Sequence, residues 1–204
     1  MSCCFDVKTN LIFTGGHDGT LLAWHFETGF IKYYLHELDS TCVSESYIKD
    51  SKSVDCLLIM KQKKLLVSGT ADQYIRFWDL SDLTSDHQPL HKIHVGHSPE
   101  DALTAFNCTK DNDRLVTADT SGRIKLFDLS KVDFQSHEDP NENIKNVWFI
   151  QAHKSTINSV QIVENFESDV FIVTASSDCN ILLHKMSNGV RLGQFGQETF
   201  DLSA

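Results

Sequence analysis

Serine or threonine, histidine and aspartate return together along the chain, and these are the residue types that acyl transfer uses as nucleophile, base and orienter. Thr14 with Asp18, Ser68 with Asp72, His97 with Thr117, and His153 with Thr174 and Asp178 are the sets in question. Their setting argues against hydrolysis. Each aspartate sits in a turn with the next strand starting two residues later, the set recurs instead of converging on one pocket, and no G-x-S-x-G elbow is present. No enzyme activity is expected. Gly15-Gly16-His17-Asp18-Gly19 is glycine-rich but joins strand to strand, so no helix N-terminus is offered to a phosphate. His17, His25, His97, His153 and His184 are separated by a repeat or a pleat, and the six cysteines (3, 4, 42, 56, 108 and 179) show no C-x-x-C pair. No metal, cofactor or disulfide framework is expected. Cys3 and Cys4 are adjacent and would point to opposite faces of a strand.

The elements that position these residues are strands. Leu65 to Leu80, LLVSGTADQYIRFWDL, reads as a strand, a turn at Ala71-Asp72-Gln73 and a second strand through Ile75, Phe77 and Trp78. The same hairpin begins at Phe13, Val116 and Val173, with Asp18, Asp72 and Asp178 five residues after the start of three copies and Ser121 in the other. Trp24, Trp78, Phe127 and His184 follow at the equivalent later position, at spacings of 54, 49 and 57 residues. A strand candidate precedes each hairpin (3–7, 54–60, 102–108, 157–163) and another follows it (31–35, 91–95, 147–150, 190–195). The chain therefore reads as one all-β segment over residues 1–204, built of four four-stranded antiparallel units at about 1–35, 53–95, 101–151 and 156–196. Such units cannot bury both faces singly and must stack.

Hydrophobic residues make up 41% of the 204, enough for a core, and 18 basic against 28 acidic residues give a net charge of −10. That sign disfavours nucleic acid and anionic membrane as partners. No apolar run approaches a membrane span, and MSCCFDVKTN lacks the features of a signal peptide, so a cytoplasmic location is expected.

The pattern [ST]-[GA]-x-x-D-x-x-[IL]-x-x-[WF]-D, carried by Ser68, Gly69, Asp72, Ile75, Trp78 and Asp79, resembles the WD-repeat β-propeller family. Gly96-His97 and Ala152-His153 resemble its Gly-His dipeptide, 24 and 25 residues before the turn positions 121 and 178. The resemblance implies a propeller blade per unit, and within each blade a buried relay from turn aspartate to histidine to strand serine or threonine and tryptophan. Thr14, Asp18, Trp24, Ser68, Asp72, Trp78, His97, Thr117, His153, Thr174 and Asp178 are the relay positions present, and no unit has the full set. It also implies an interaction scaffold that binds other proteins, with the connections between blades, Tyr47, Lys49, Asp101 and Lys154, as candidate contacts.

Gly193-Gln194-Phe195-Gly196-Gln197 is similar to the ending of axonemal, EF-hand-associated WD-repeat proteins, which implies a ciliary or flagellar assembly. A substrate or phospho-motif receptor in a ubiquitin-ligase or signalling complex is the alternative, and needs an arginine cluster on one face. Residues 130–146 read as a solvated loop, or on a sharper reading as an acidic docking loop. Four blades are an unusual number. The chain is therefore expected to be half of a larger propeller, its open faces covered by missing residues, a second copy or another subunit, with a closed four-bladed ring as the rival.

Overall fold

The computed structural model describes residues 2–36, 53–83, 88–96, 98, 101–135, 143–164 and 169–196. These form sixteen strands in four antiparallel sheets, each a simple meander, and no helix occurs among the described residues. Sheet 1 contains β1 (Ser2–Asp6), β2 (Leu11–Gly15), β3 (Leu21–His25) and β4 (Ile31–Leu35). Sheet 2 contains β5 (Val54–Met60), β6 (Leu65–Thr70), β7 (Tyr74–Asp79) and β8 (His91–His94). Sheet 3 contains β9 (Leu103–Cys108), β10 (Arg114–Asp119), β11 (Arg123–Asp128) and β12 (Lys145–Gln151). Sheet 4 contains β13 (Ile157–Glu164), β14 (Val170–Ser176), β15 (Ile181–Lys185) and β16 (Arg191–Gln194). These are blades of the WD-repeat propeller type, as the spacing of the hairpins predicts.

Contacts divide the chain into two compact units, one of Met1–Val95 with Phe134–His137 and the other of Gly96–Asp133 with Glu138–Ala204. In the first, sheet 1 lays Leu11, Phe13, Leu21, Ala23 and Leu35 on Leu66, Trp78, Leu80, Leu57 and Ile59 of sheet 2. Gly15 lies where any Cβ would meet the Val54 side chain, so sheet 2 packs closely on sheet 1 there. In the second, Val116, Ile124 and Leu126 of sheet 3 pack on Val160, Ile162 and Ile172 of sheet 4. The pleat puts Cys4 into the first core and leaves Cys3 exposed.

The turn inside each hairpin needs a left-handed residue, and the four equivalent positions all supply it: Gly19 (φ 83), Gln73 (φ 68), Gly122 (φ 81) and Cys179 (φ 65). Only two of the four are the glycines that this conformation favours.

The 130–146 segment is not wholly solvated. Val132 and Phe134 are buried, and the Phe134 ring lies 4.6 Å from that of Phe77 in sheet 2. Two aromatic or branched side chains in a polar tract are enough to anchor its first half. Its acidic centre, 136–142, lies outside the described residues.

Candidate functional site: a sealed Asp-His-Thr clasp

Sheet 4 assembles the constellation that the sequence suggests. His153 Nδ1 lies 3.1 Å from both carboxylate oxygens of Asp178, and its Nε2 lies 2.8 Å from Thr174 Oγ1. A carboxylate only accepts, so Nδ1 carries the proton, and in the neutral ring Nε2 accepts from the threonine hydroxyl. Three elements hold this geometry. The turn after β14 presents Asp178, whose Oδ1 accepts the N–H of Asn180 at 3.0 Å, an Asx turn. The segment before β13 brings His153, pinned where its N–H and that of Ala152 both donate to the Gly122 carbonyl. Strand β14 points Thr174 inward from the same face as Ile172.

Partial burial pushes the Asp178 carboxyl up, but the N–H groups of Lys154 and Asn180 and the His153 ring outweigh it and hold the group down to about 2. The distances are those of a nucleophile, base and orienter, yet Thr174 is 0% exposed and His153 3%. A hydroxyl that no substrate can touch does no acyl transfer. The arrangement is a buried polar network with every member satisfied, which fixes the position of the chain segments that carry it.

His184 stands where sheets 1 and 2 place a tryptophan. It is 1% exposed and its Nδ1 has no hydrogen-bond partner among the described residues. Burial first, then the neighbouring His153 and Arg191, lower it from the ordinary 6.5 to about 4. The unfolded chain then binds a proton that the fold refuses, so this contribution to stability is complete above pH 6.5 and is lost as pH falls toward 4. Asp178 adds a second loss between 3.8 and about 2. The urea midpoint of the second unit is therefore expected to fall from pH 6.5 downward. His184→Phe, the side chain type of Phe127 in sheet 3, is expected to flatten the limb above pH 4. A midpoint constant from pH 7 to 4 in the parent would contradict this.

The other sheets carry parts of the relay. Trp24 Nε1 donates to Thr14 Oγ1 at 2.8 Å, and Trp78 Nε1 to Ser68 Oγ at 2.9 Å. Asp18 accepts from the N–H and hydroxyl of Thr20, at 3.1 and 2.7 Å, closing its own turn. Asp72 has partners that the relay does not assign: the Thr70 hydroxyl, the Tyr74 N–H at 3.1 Å and Arg76 Nη2 at 2.8 Å. Ser68 is thus served by Trp78 and not by Asp72. Asp72→Ala is expected to cost about 2 kcal/mol in a thermal melt, because it strips a carboxylate from Arg76, whose side chain is 13% exposed. A melt like the parent's would remove that pairing from the account.

In sheet 3, Ser121 replaces the turn aspartate, and Asp119 takes over its hinge role, accepting the N–H groups of Ser121 and Arg123 at 3.0 and 2.9 Å. Asp101 is 6% exposed, accepts from the Ser121 hydroxyl, and pairs with Arg123 Nη1 at 2.7 Å. That carboxylate is engaged inside the unit, whereas Lys154 is exposed and touches the clasp through its backbone N–H alone, 3.0 Å from Asp178. Thr117 is buried at 3% exposure. Tyr47, Lys49 and His97 lie outside the described residues. The Asp101–Arg123–Ser121 set escaped sequence reading because Asp101 is 20 and 22 residues from Ser121 and Arg123 and meets them only once β9 and β11 are laid on either side of β10. Among the described residues no three His, Cys, Asp or Glu side chains cluster as metal ligands.

Comparison with known proteins accords with this geometry. The family model described as "WD domain, G-beta repeat" matches residues 1–25 and 40–79. The chain is 29% identical over 127 residues to an uncharacterized WD repeat-containing protein, C126.01c, of Schizosaccharomyces pombe, covering 62% of this chain and 30% of that protein. It is 30% identical over 182 residues to the BEACH domain-containing protein lvsD of Dictyostelium discoideum, covering 85% of this chain and 6% of the relative. The nuclear pore complex protein nup43 of Dictyostelium discoideum is 29% identical over 112 residues, covering 54% and 25%. The chain thus spans less than a third of the length of these relatives. A crystal structure of the computationally designed Ika8 protein superposes on all of this chain and 51% of its own, at TM-score 0.65 and 19% identity, a likeness of fold. Repeat spacing, four meander sheets, the Trp-to-Ser/Thr bonds and the family model matched over residues 1–25 and 40–79 together give the chain its likeness to the WD40-repeat family.

Proposed function

We propose that the chain is a non-enzymatic protein-interaction scaffold within a multi-subunit assembly. The observation that carries this reading is the burial of Thr174 and His153: the one Asp-His-Thr set among the described residues is spent on holding the blade together, which leaves exposed surface as the working part. A relative that is by name a nuclear pore complex protein fits an assembly role. The receptor alternative needs free guanidinium groups facing one way. Arg76, Arg114 and Arg123 instead pair with Asp72, Asp128 and Asp101, and Arg191 donates to Gln194. The observation therefore favours the scaffold.

Within that reading we assign contact to the connections between sheets, with Lys154 as the exposed side chain described there. A cytoplasmic, axonemal placement in a cilium or flagellum is the finer form; its support is the Gly193–Gln197 sequence, in which Phe195 is 48% exposed and Gly196 turns at φ 92. The test is capture from native extract, read by quantitative mass spectrometry, with parent and Lys154→Glu as baits. A set of proteins held by the parent and lost with Lys154→Glu is expected, with axonemal components in the set. Recovery equal to that of blank resin, or turnover of ester, peptide or phosphate substrates that disappears in His153→Ala, would overturn the scaffold reading.

A further inference from the structure

The turn between β15 and β16 carries a reactive pair that the clasp does not use. Asn188 is followed by Gly189, the one Asn-Gly step in the 204 residues. A side-chain amide in that position is open to attack by the backbone nitrogen of the next residue, and glycine offers the least resistance because it has no Cβ and its backbone is the most permissive. Asn188 is exposed to solvent.

The fold holds the attacking nitrogen back. Gly189 N–H donates to the Lys185 carbonyl at 2.8 Å, and Gly189 is itself buried. A Cβ placed on it would lie 3.2 Å from the Trp148 ring, and Trp148 Nε1 donates to the Met186 carbonyl at 2.9 Å. The indole of β12 is thus bonded to one residue of the turn and laid over another. Lys185 N–H to the Val190 carbonyl at 2.9 Å and Val190 N–H to Asn188 Oδ1 at 3.1 Å complete the turn. Attack requires that the Gly189 nitrogen give up its proton, and a proton shared with a carbonyl beneath an indole is not offered to water.

The turn does not need asparagine for its shape. In sheet 1 the equivalent turn has Gly29 N–H on the His25 carbonyl at 2.9 Å, His25 N–H on the Phe30 carbonyl at 2.9 Å, and Phe30 N–H on Thr28 Oγ1 at 3.5 Å. Gly29 stands at φ 68 and Gly189 at φ 73, so threonine does in one copy what Asn188 does in the other.

We infer that Asn188 is a modification site which the fold keeps closed and which opens when the β15–β16 hairpin leaves Trp148. In the opened hairpin the Gly189 nitrogen forms a bond to Asn188 Cγ, the Cγ–Nδ2 bond breaks, and the nitrogen's proton departs with ammonia. Water then adds to either carbonyl of the cyclic imide and opens it, leaving aspartate or isoaspartate at 188. Isoaspartate lengthens the main chain by one carbon. Gly189 then no longer meets both the Lys185 carbonyl and the Trp148 ring, so the product is a one-way record that the hairpin has opened. This site goes beyond the scaffold reading, which stands whether or not the site reacts.

The test is peptide mapping by mass spectrometry of the full chain, incubated at neutral pH in buffer, in sub-denaturing urea and in denaturing urea. In denaturing urea Asn188 is expected to convert faster than every other asparagine, and in buffer about tenfold more slowly or less, with the rate rising through sub-denaturing urea as the hairpin opens. Trp148→Phe, which keeps a ring over Gly189 and removes the bond to Met186, is expected to raise the rate in buffer about threefold, and Trp148→Ala about tenfold, with circular dichroism checking that each is folded. Asn188→Thr is expected to melt like the parent and to yield no product. Conversion as fast in buffer as in denaturing urea, absence of conversion at Asn188 in denaturing urea, or folded Trp148 variants that react at the parent's rate would overturn the gated site.

Discussion

Replacing His153 by alanine is expected to destabilise the second unit by about 4 kcal/mol. The side chain is 3% exposed and bonds on both sides, to the Asp178 carboxylate and to Thr174 Oγ1. Asp178 keeps the N–H groups of Lys154 and Asn180 when the ring is gone. Thr174, at 0% exposure, keeps none of its bond to the ring. The cost is the stranded hydroxyl, the lost charge-assisted bond and the cavity, each of order 1 to 3 kcal/mol. Urea unfolding followed by circular dichroism reads it, and a loss below about 1 kcal/mol would mean that the ring carries little of the unit's stability.

Gly122→Ala is expected to cost about 3 kcal/mol, by a route that reaches the same clasp from the backbone. Gly122 sits at φ 81, which a Cβ makes unfavourable, and the added atom would press on the His153 carbonyl and come within 2.8 Å of the Ser155 carbonyl oxygen. Both obstacles are main chain and cannot swing aside. The turn that holds Ala152 and His153 to the Gly122 carbonyl must shift, and the imidazole with it. The same melt measures the loss, and a variant as stable as the parent would show that the turn has room the structure does not give it.

Much of the fold was legible because two periodicities coincide. Alternation of period two marks strands such as Val54–Met60, which begin and end where the sequence places them, and recurrence of the hairpin fixes the register of all four sheets. The links Trp24–Thr14 and Trp78–Ser68 follow from that register alone, since each pair sits ten residues apart on facing strands. Ion pairs were less legible. Asp72 lies beside a strand threonine in sequence, yet it takes Arg76, four residues on, because both side chains emerge at the same end of the hairpin. Asp101 reads as a surface turn residue until β11 swings Arg123 onto it. Phe134 is one aromatic residue in a polar loop, and the Phe77 and His91 rings beside it, with Lys63 over its face, explain its burial.

The central claim, that Asp178, His153 and Thr174 form one structural clasp, is tested most directly by a double-mutant cycle on His153→Ala and Thr174→Val, read by urea unfolding. If the 2.8 Å bond between them is what each contributes through, the two losses overlap, and a coupling energy of about 1 to 2 kcal/mol is expected. Losses that simply add, to within about 0.5 kcal/mol, would contradict the clasp.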